Sequence, residues 1–306
     1  MGWLSSDNAI RYGVPSIVAL IVMGPRLLKL SLQQWTHWRV GERHRIQVST
    51  IVLDALCGRL KRLVRPTFLL IPAEQPSFSK LGGDPELPED LTLPAGDDGP
   101  LRFLAQIDFA GLQPTGAISW LPRDGYLYAF YDKGRRGCAD NVRVLYSTLP
   151  PGPAALTPLS ADQRRPERRV DAVLHTSAPS LDWLGLNGAE LGLSEAQFLS
   201  LDAMVSAPAS DEIQHRVGGY PNEIQPECMW LACEHFAREL PSPAWGAKVP
   251  PTILRAAQEW RLLLQIDSDE TLKFHFGDGG RLYVFIRARH ARARDFSKTV
   301  SLWQTY

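Results

Sequence analysis

The chain has 306 residues, 44% of them apolar and 22% charged, and its 33 Lys+Arg balance its 33 Asp+Glu. That length buries a large core in one or two domains, and the zero net charge leaves no global field to draw in nucleic acid or an anionic membrane. Four cysteines (Cys57, Cys138, Cys228, Cys233) are too few for a disulfide framework, and their spacing is not that of a zinc site, so reduced thiols in a cytoplasmic protein are expected.

The first apolar run, Val14–Met23, is far shorter than the roughly 20 residues a spanning helix needs. Pro15, Arg26 and Lys29 interrupt or flank it, and it lacks the flanks of a signal peptide. It reads as a core segment, with membrane association through residues 14–38 as the alternative. Residues 35–45 mix Trp35 and Trp38 with His37, Arg39, Arg43, His44 and Arg45. At zero net charge this reads as a solvated helix face whose tryptophans pack inward, and no strong nucleic-acid signal arises. Ser49–Val64 carries apolar residues at helical spacing, a Ser cap and basic residues in its last turns, before Pro66 stops it. Residues 1–65 are therefore expected to form an N-terminal helical extension.

Thr67–Ile71 reads as a strand, and residues 79–100, dense in Gly, Pro and Asp, as irregular chain. Strands are predicted over Leu101–Ile107, over Tyr126–Tyr131 after the Asp124-Gly125 turn, and over Asn141–Ser147. Residues 149–180 are rich in Pro and Ala and carry Arg164, Arg165, Arg168 and Arg169, so they read as a linker or long excursion whose charge run is solvated, with anion binding by the four arginines as the alternative. Ser194 and Gln197 open a helix over Leu193–Ser206 with a capping-box pattern. Glu227–Leu240 is open between helix and strand, and Thr252–Glu259 reads as helical. Two apolar runs, Arg261–Ile266 and Leu282–Ile286, then flank an acidic, Gly-rich turn.

Three short strings recur in the same order. Gly82-Gly83-x-Pro85 matches Gly218-Gly219-x-Pro221, and Gln106-Ile107-Asp108 matches Gln265-Ile266-Asp267. Gly125-x-Leu127-Tyr128-x-Phe130 matches Gly280-x-Leu282-Tyr283-x-Phe285. Two copies are too few for a solenoid. They predict an α+β fold with a duplicated, mostly antiparallel β-rich core, peripheral helices and the N-terminal extension. Its halves would be residues 66–148 and 210–306, joined by an excursion over 149–209.

The strings LGGDPELPEDLTLP, RFLAQIDFAGL, DGYLYAFYD, VGGYPNEIQ, EWRLLLQIDSDE, FGDGGRLYVFI and ARDFSKTVSLWQTY resemble the bacterial YwqG-like family from about Pro66 to Tyr306. The resemblance implies an α+β fold with a duplicated core in a bacterial, cytoplasmic protein, and it brings no catalytic residues with it. Two departures stand out. Phe276 occupies a place where the family tends to have Trp, and the segment RARHARARDFS is basic where relatives are acidic.

No nucleophile elbow, zinc-protease motif or phosphate loop is present. An enzyme reading rests on Asp267, Asp269, Glu270, His275 and Asp278, which a hairpin would crowd at one end. Such a cluster suits a metal-assisted hydrolase, although the same residues are what tight turns use. No cofactor and no assigned metal site follow. The first reading is a non-enzymatic binding or protein-interaction module. Tyr128 and Tyr283 would line the core or a groove between the halves, with Arg289, Arg292 and Arg294 on the rim. A protein partner or a small anionic ligand fits that rim, and neutralisation of a toxin is one concrete version.

Overall fold

Runs of β-branched and aromatic residues bounded by Gly, Asp and Pro form strands because their side chains fill a pleated surface that can be covered. A computed structural model describes residues 63–97, 99–132, 141–153, 164–177, 179, 214–225, 229–241 and 250–306. The chain divides into two compact units, residues 1–65 with 176–211 and residues 66–175 with 212–306. Nearly all described residues belong to the second, which is the subject below. The helices expected over Ser49–Val64 and Leu193–Ser206 fall largely outside the described residues, as do the run Val14–Met23 and the cysteines other than Cys233.

The strands in chain order are β1 (Arg65–Pro72), β2 (Lys80–Leu81), β3 (Ala95–Gly96), β4 (Gly99–Pro100), β5 (Arg102–Asp108) and β6 (Tyr126–Tyr131). They continue with β7 (Val142–Ser147), β8 (Arg168–Ser177), β9 (Arg216–Gly218), β10 (Trp260–Asp267), β11 (Arg281–Arg287) and β12 (Thr299–Gln304). β3 and β4 form a small separate ribbon. The other ten make one antiparallel sheet in the order β12-β11-β10-β9-β1-β8-β2-β5-β6-β7. Its two ends approach each other, with the Val142 amide donating to Ser301 Oγ at 3.0 Å, so the sheet is a nearly closed barrel.

The α+β expectation is corrected by this arrangement: the described fold is mostly β. The described α-helices are short, α1 (Met229–Ala237), α2 (Pro251–Ala257) and α3 (Ala288–Arg292). The physical reason is that the sheet curls on itself and fills its own interior. No helical layer is needed to cover its concave face. The segment left open between helix and strand is α1, and α2 opens on Pro251, whose missing N–H costs nothing at a first turn.

Matching strings occupy matching places in the sheet. In β5 against β6, Gln106 faces Tyr128; in β10 against β11, Gln265 faces Tyr283. Each pair has a register shift at the same point, between Phe103 and Ala105 and between Leu262 and Leu264. The extra residue of each bulge, Leu104 or Leu263, is buried in the main core. β2 lies beside β5 with Lys80 opposite Gln106, and β9 lies beside β10 with Arg216 opposite Gln265.

The interior core takes Ala105, Ile107, Leu127 and Ala129 from one end of the sheet and Leu264, Ile266, Leu282 and Val284 from the other. A second cluster of Leu87, Leu101, Phe103, Tyr128 and Phe130 packs with Leu91 and Leu93 of the loop before β5. Strands covered on both faces read as continuous apolar runs, which is why β5, β6, β10 and β11 were legible. β8 was not. It lies in the segment read as a linker, and only Val170 and Ser177 of its ten residues are buried. Its pattern therefore carries no alternation.

Gly82, at φ +66°, turns the chain out of β2, and a Cβ there would lie 2.1 Å from the Pro166 carbonyl oxygen. Gly82→Ala is expected to cost about 2 kcal/mol or more in urea denaturation. Gly99→Ala is the control: its φ is +106°, but no atom lies within 4 Å of the added Cβ. It should cost about 1 kcal/mol from backbone strain alone.

Candidate functional site

Two buried polar arrangements dominate the outer face of the sheet, one on each side of the central strands. The Gln106 carboxamide oxygen accepts from the Glu86 amide at 3.1 Å, and the Tyr128 hydroxyl donates to the Glu86 carbonyl at 3.1 Å. On the other side the Gln265 oxygen accepts from the Asn222 amide at 2.9 Å, and the Tyr283 hydroxyl donates to the Asn222 carbonyl at 2.7 Å. Each Gln–Tyr pair thus clamps both backbone groups of one loop residue beyond a Gly-Gly corner. Both tyrosines are fully buried. Burial holds their phenols well above the ordinary tyrosine value, so they act as neutral donors.

The charged neighbours of the two clamps differ. Beside Gln106, the buried Lys80 ammonium donates to the Asp84 carbonyl at 2.6 Å, to Glu167 at 2.9 Å and to Glu86 at 3.2 Å. Arg169 joins the same two carboxylates. Burial works to raise the Glu86 carboxyl, but hydrogen bonds from Arg169, Gln106 and Lys80 together hold it below the usual range. Beside Gln265, the Asp267 carboxylate accepts from Gln265 Nε2 at 2.8 Å and from the Gln214 amide at 2.9 Å, with Arg281 Nε at 3.4 Å. Burial pushes the neighbouring Arg216 guanidinium down, offset in part by the Asp267 charge.

His215 links the two acids of the second cluster. Its Nδ1 accepts from the Asp267 amide at 3.1 Å, which leaves the proton of the neutral ring on Nε2, 3.4 Å from Asp269 Oδ2. Asp269 also receives Arg168 Nη1 at 2.6 Å, and it caps the 3-10 turn Glu270–Leu272 by accepting from the Thr271 and Leu272 amides. Burial alone would raise the Asp269 carboxyl. The His215, Thr271 and Arg168 hydrogen bonds outweigh it and hold the group far below the ordinary carboxylate range.

Of the residues singled out for an acid-and-histidine centre, the structure brings Asp267 and Asp269 together around His215 and leaves Glu270, His275 and Asp278 outside that cluster. His275 is exposed and lies 3.4 Å from the exposed Glu270. Asp278 is exposed, with its backbone tied to Thr305. Among the described residues, no group of three or more His, Cys, Asp or Glu side chains is placed to hold a metal ion. Sequence reasoning missed Lys80, His215 and Arg216, and read Arg168 as part of a solvated charge run. A signal for two of them was present, since a basic residue stands two places before each Gly-Gly pair.

The basic segment is largely paired. Arg287 contacts Glu234 at 2.5 Å and lies 4.9 Å over the Trp260 ring, Arg289 pairs with Glu259 at 2.6 Å, and Arg294 with Asp124 at 2.5 Å. Arg292 is exposed. Next to this segment lies a groove of about 540 Å³, walled by Phe236 and Leu240 at the end of α1 and by Trp260, Arg287, His290 and Lys298. A smaller groove of about 390 Å³ follows the β7–β12 seam past Val142, Val144, Phe296 and Thr299.

Asp269→Asn should destabilise the protein by about 3 kcal/mol, because Arg168 loses its buried carboxylate partner. The sign with pH follows from the depressed carboxyl. Its contribution is present above the unfolded value of 3.8 and is lost as pH falls toward the folded one. Denaturation curves from pH 6 to pH 2 should therefore fall less steeply for Asp269→Asn than for the unaltered protein. His275→Ala, on an exposed side chain, should shift stability by no more than about 0.5 kcal/mol.

Among the described residues, no helix is long and apolar enough to cross a membrane. Among curated proteins, none matches the chain. A family match runs from residue 79 to residue 305, from the strand entering the first Gly-Gly corner to the end of the sheet, and so takes in both Gln–Tyr clamps. The chain belongs to the family described as Domain of unknown function (DUF1963).

Proposed function

We propose that the chain is a non-enzymatic binding module of a bacterial, cytoplasmic protein, and that it takes an acidic polypeptide segment carrying an apolar side chain. The observation that carries this reading is the groove beside α3. Phe236 and Leu240 are 42% and 41% exposed there, and His290, Lys298 and the Trp260-stacked Arg287 share its wall. Glu239 also lines the groove and Arg287 is paired with Glu234, so Lys298 is the cation on its wall left for a partner. Burial and the charges of Arg289, Arg287 and Lys298 push His290 below the ordinary histidine value, against the opposing pull of Asp295. An apolar wall beside a cationic one complements an acidic partner residue next to a Leu, Phe or similar side chain. Arg289, Arg292 and Arg294 extend the basic character along α3 and past its end. Neutralisation of a toxin is one function such a surface serves.

The hydrolase reading is the weaker of the two. Its acids Asp267 and Asp269 are engaged by Arg281, Arg168 and His215, so they offer a substrate little beyond structural pairing. We infer further that the sheet descends from a doubled five-strand unit, and that the chain is a YwqG-like member of its family. The paired bulges and the paired clamps support the first point, and the strings RFLAQIDFAGL and EWRLLLQIDSDE the second.

A peptide array that varies Asp/Glu content against Leu/Phe content tests the binding reading. The unaltered protein should retain acidic, apolar peptides, with retention falling as salt rises. A Phe236→Ser, Lys298→Glu variant that melts at the same temperature should lose at least tenfold in affinity. Retention that ignores peptide charge, or that survives both substitutions, overturns the reading.

A further inference from the structure

Arg102 begins β5, and Arg165 precedes β8. The Gly82-Gly83 corner ties these two stretches together. The Gly82 amide donates to the Leu104 carbonyl at 2.8 Å, and the Gly83 amide donates to the Arg165 carbonyl at 3.2 Å. The Arg165 guanidinium then lies 5.1 Å over the Phe274 ring, within electrostatic reach of Arg102 and Tyr131. Phe274, Phe276 and Tyr131 make a continuous aromatic edge, with centroids 6.4 Å and 5.9 Å apart.

The other arginines just along the chain are satisfied: Arg168 by Asp269, and Arg169 by Glu86 and Glu167. Arg165 is not. Among the described residues its Nε is buried with no hydrogen-bond acceptor. Among the described residues neither Arg165 nor Arg102 forms an ion pair with a carboxylate. Arg165 is half-buried, and a guanidinium partly withdrawn from water without a counter-charge carries a cost that a like charge beside it increases. Burial first, and then Arg102, push Arg165 down to about 10. An anion beside the two guanidinium groups would supply the missing counter-charge. Two guanidinium forks carry two positive charges and ten N–H donors in planar sets, which suits a doubly charged tetrahedral oxyanion better than a single carboxylate.

We propose that Arg102 and Arg165 form a binding site for a phosphate-type oxyanion, with the Phe274 ring holding the Arg165 guanidinium in plane. The site uses residues that the groove beside α3 does not, and it stands or falls separately from the binding reading above.

The test is calorimetric titration and thermal melting of the full chain with inorganic phosphate, methyl phosphate and acetate at constant ionic strength. Inorganic phosphate or methyl phosphate should raise Tm and titrate to saturation, and whichever binds tighter assigns the source as the free ion or a phosphomonoester. Arg165→Gln should weaken that binding at least tenfold, and Arg165→Lys, which keeps the charge but loses the fork, should also weaken it. In phosphate-free buffer Arg165→Gln should melt at or above the unaltered protein, because an unpaired charge has been removed. Should Arg165→Gln not fold, Arg102→Gln, at a half-buried strand end, gives the same reading. Acetate binding as tightly as phosphate overturns the choice of ligand. An absent phosphate response, or one equal in the arginine variants, overturns the site.

Discussion

A sheet covered on both faces must satisfy the backbone of the loops that cover it, and in this protein that task falls to two glutamine side chains. Gln106 and Gln265 are completely buried, and each turns its carboxamide oxygen to the amide of a covering loop. Without that acceptor an amide would lie buried and unpaired, at the full cost of its desolvation. The tyrosine opposite each glutamine fixes the carbonyl of the same loop residue. The loops after β2 and β9 are thereby held at one height above the sheet. The charged groups beside each clamp, Lys80 with Glu86 on one side and Asp267 with Arg281 on the other, are set against these loops.

The charged groups then diverge. One clamp is flanked by a lysine and an arginine sharing two glutamates, the other by three arginines and a histidine around two aspartates. In a low-dielectric layer such groups are tolerable only when paired and hydrogen-bonded on most sides. The Lys80 and Asp269 nodes meet that condition. Arg165 does not, and that contrast marks it out among the arginines near β8.

Much of the sheet was legible because its central strands carry unbroken apolar runs with turn residues at their ends. Gln106, Gln265, Tyr128 and Tyr283 were visible as repeated letters, and the structure puts them in equivalent registers. Their role was not visible, since a glutamine that satisfies a distant amide leaves no local periodicity. β8 was hidden because only Val170 and Ser177 of its ten residues are buried and Val173 to His175 are exposed in succession, and β2 and β9 because two or three residues cannot display a pattern. The helical weight of the fold was overestimated because a curled sheet removes the need for a covering layer, and curvature arises from bulges rather than from composition. The pairing of His215 with Asp269, rather than of His275, depends on a contact across 54 positions. No spacing rule reaches that far.

The closing seam has a consequence for behaviour in a crowded solution. β7 and β12 are the two ends of the sheet, and an exposed sheet end is a template for another chain. Here each end is the other's shield. They face one another through Val142 and Ser301 rather than through a full ladder. A stranger's strand would have to enter the groove between β7 and β12, where Phe296 and Ser297 also stand, so the curvature itself narrows access to both borders and works against fibril-like stacking.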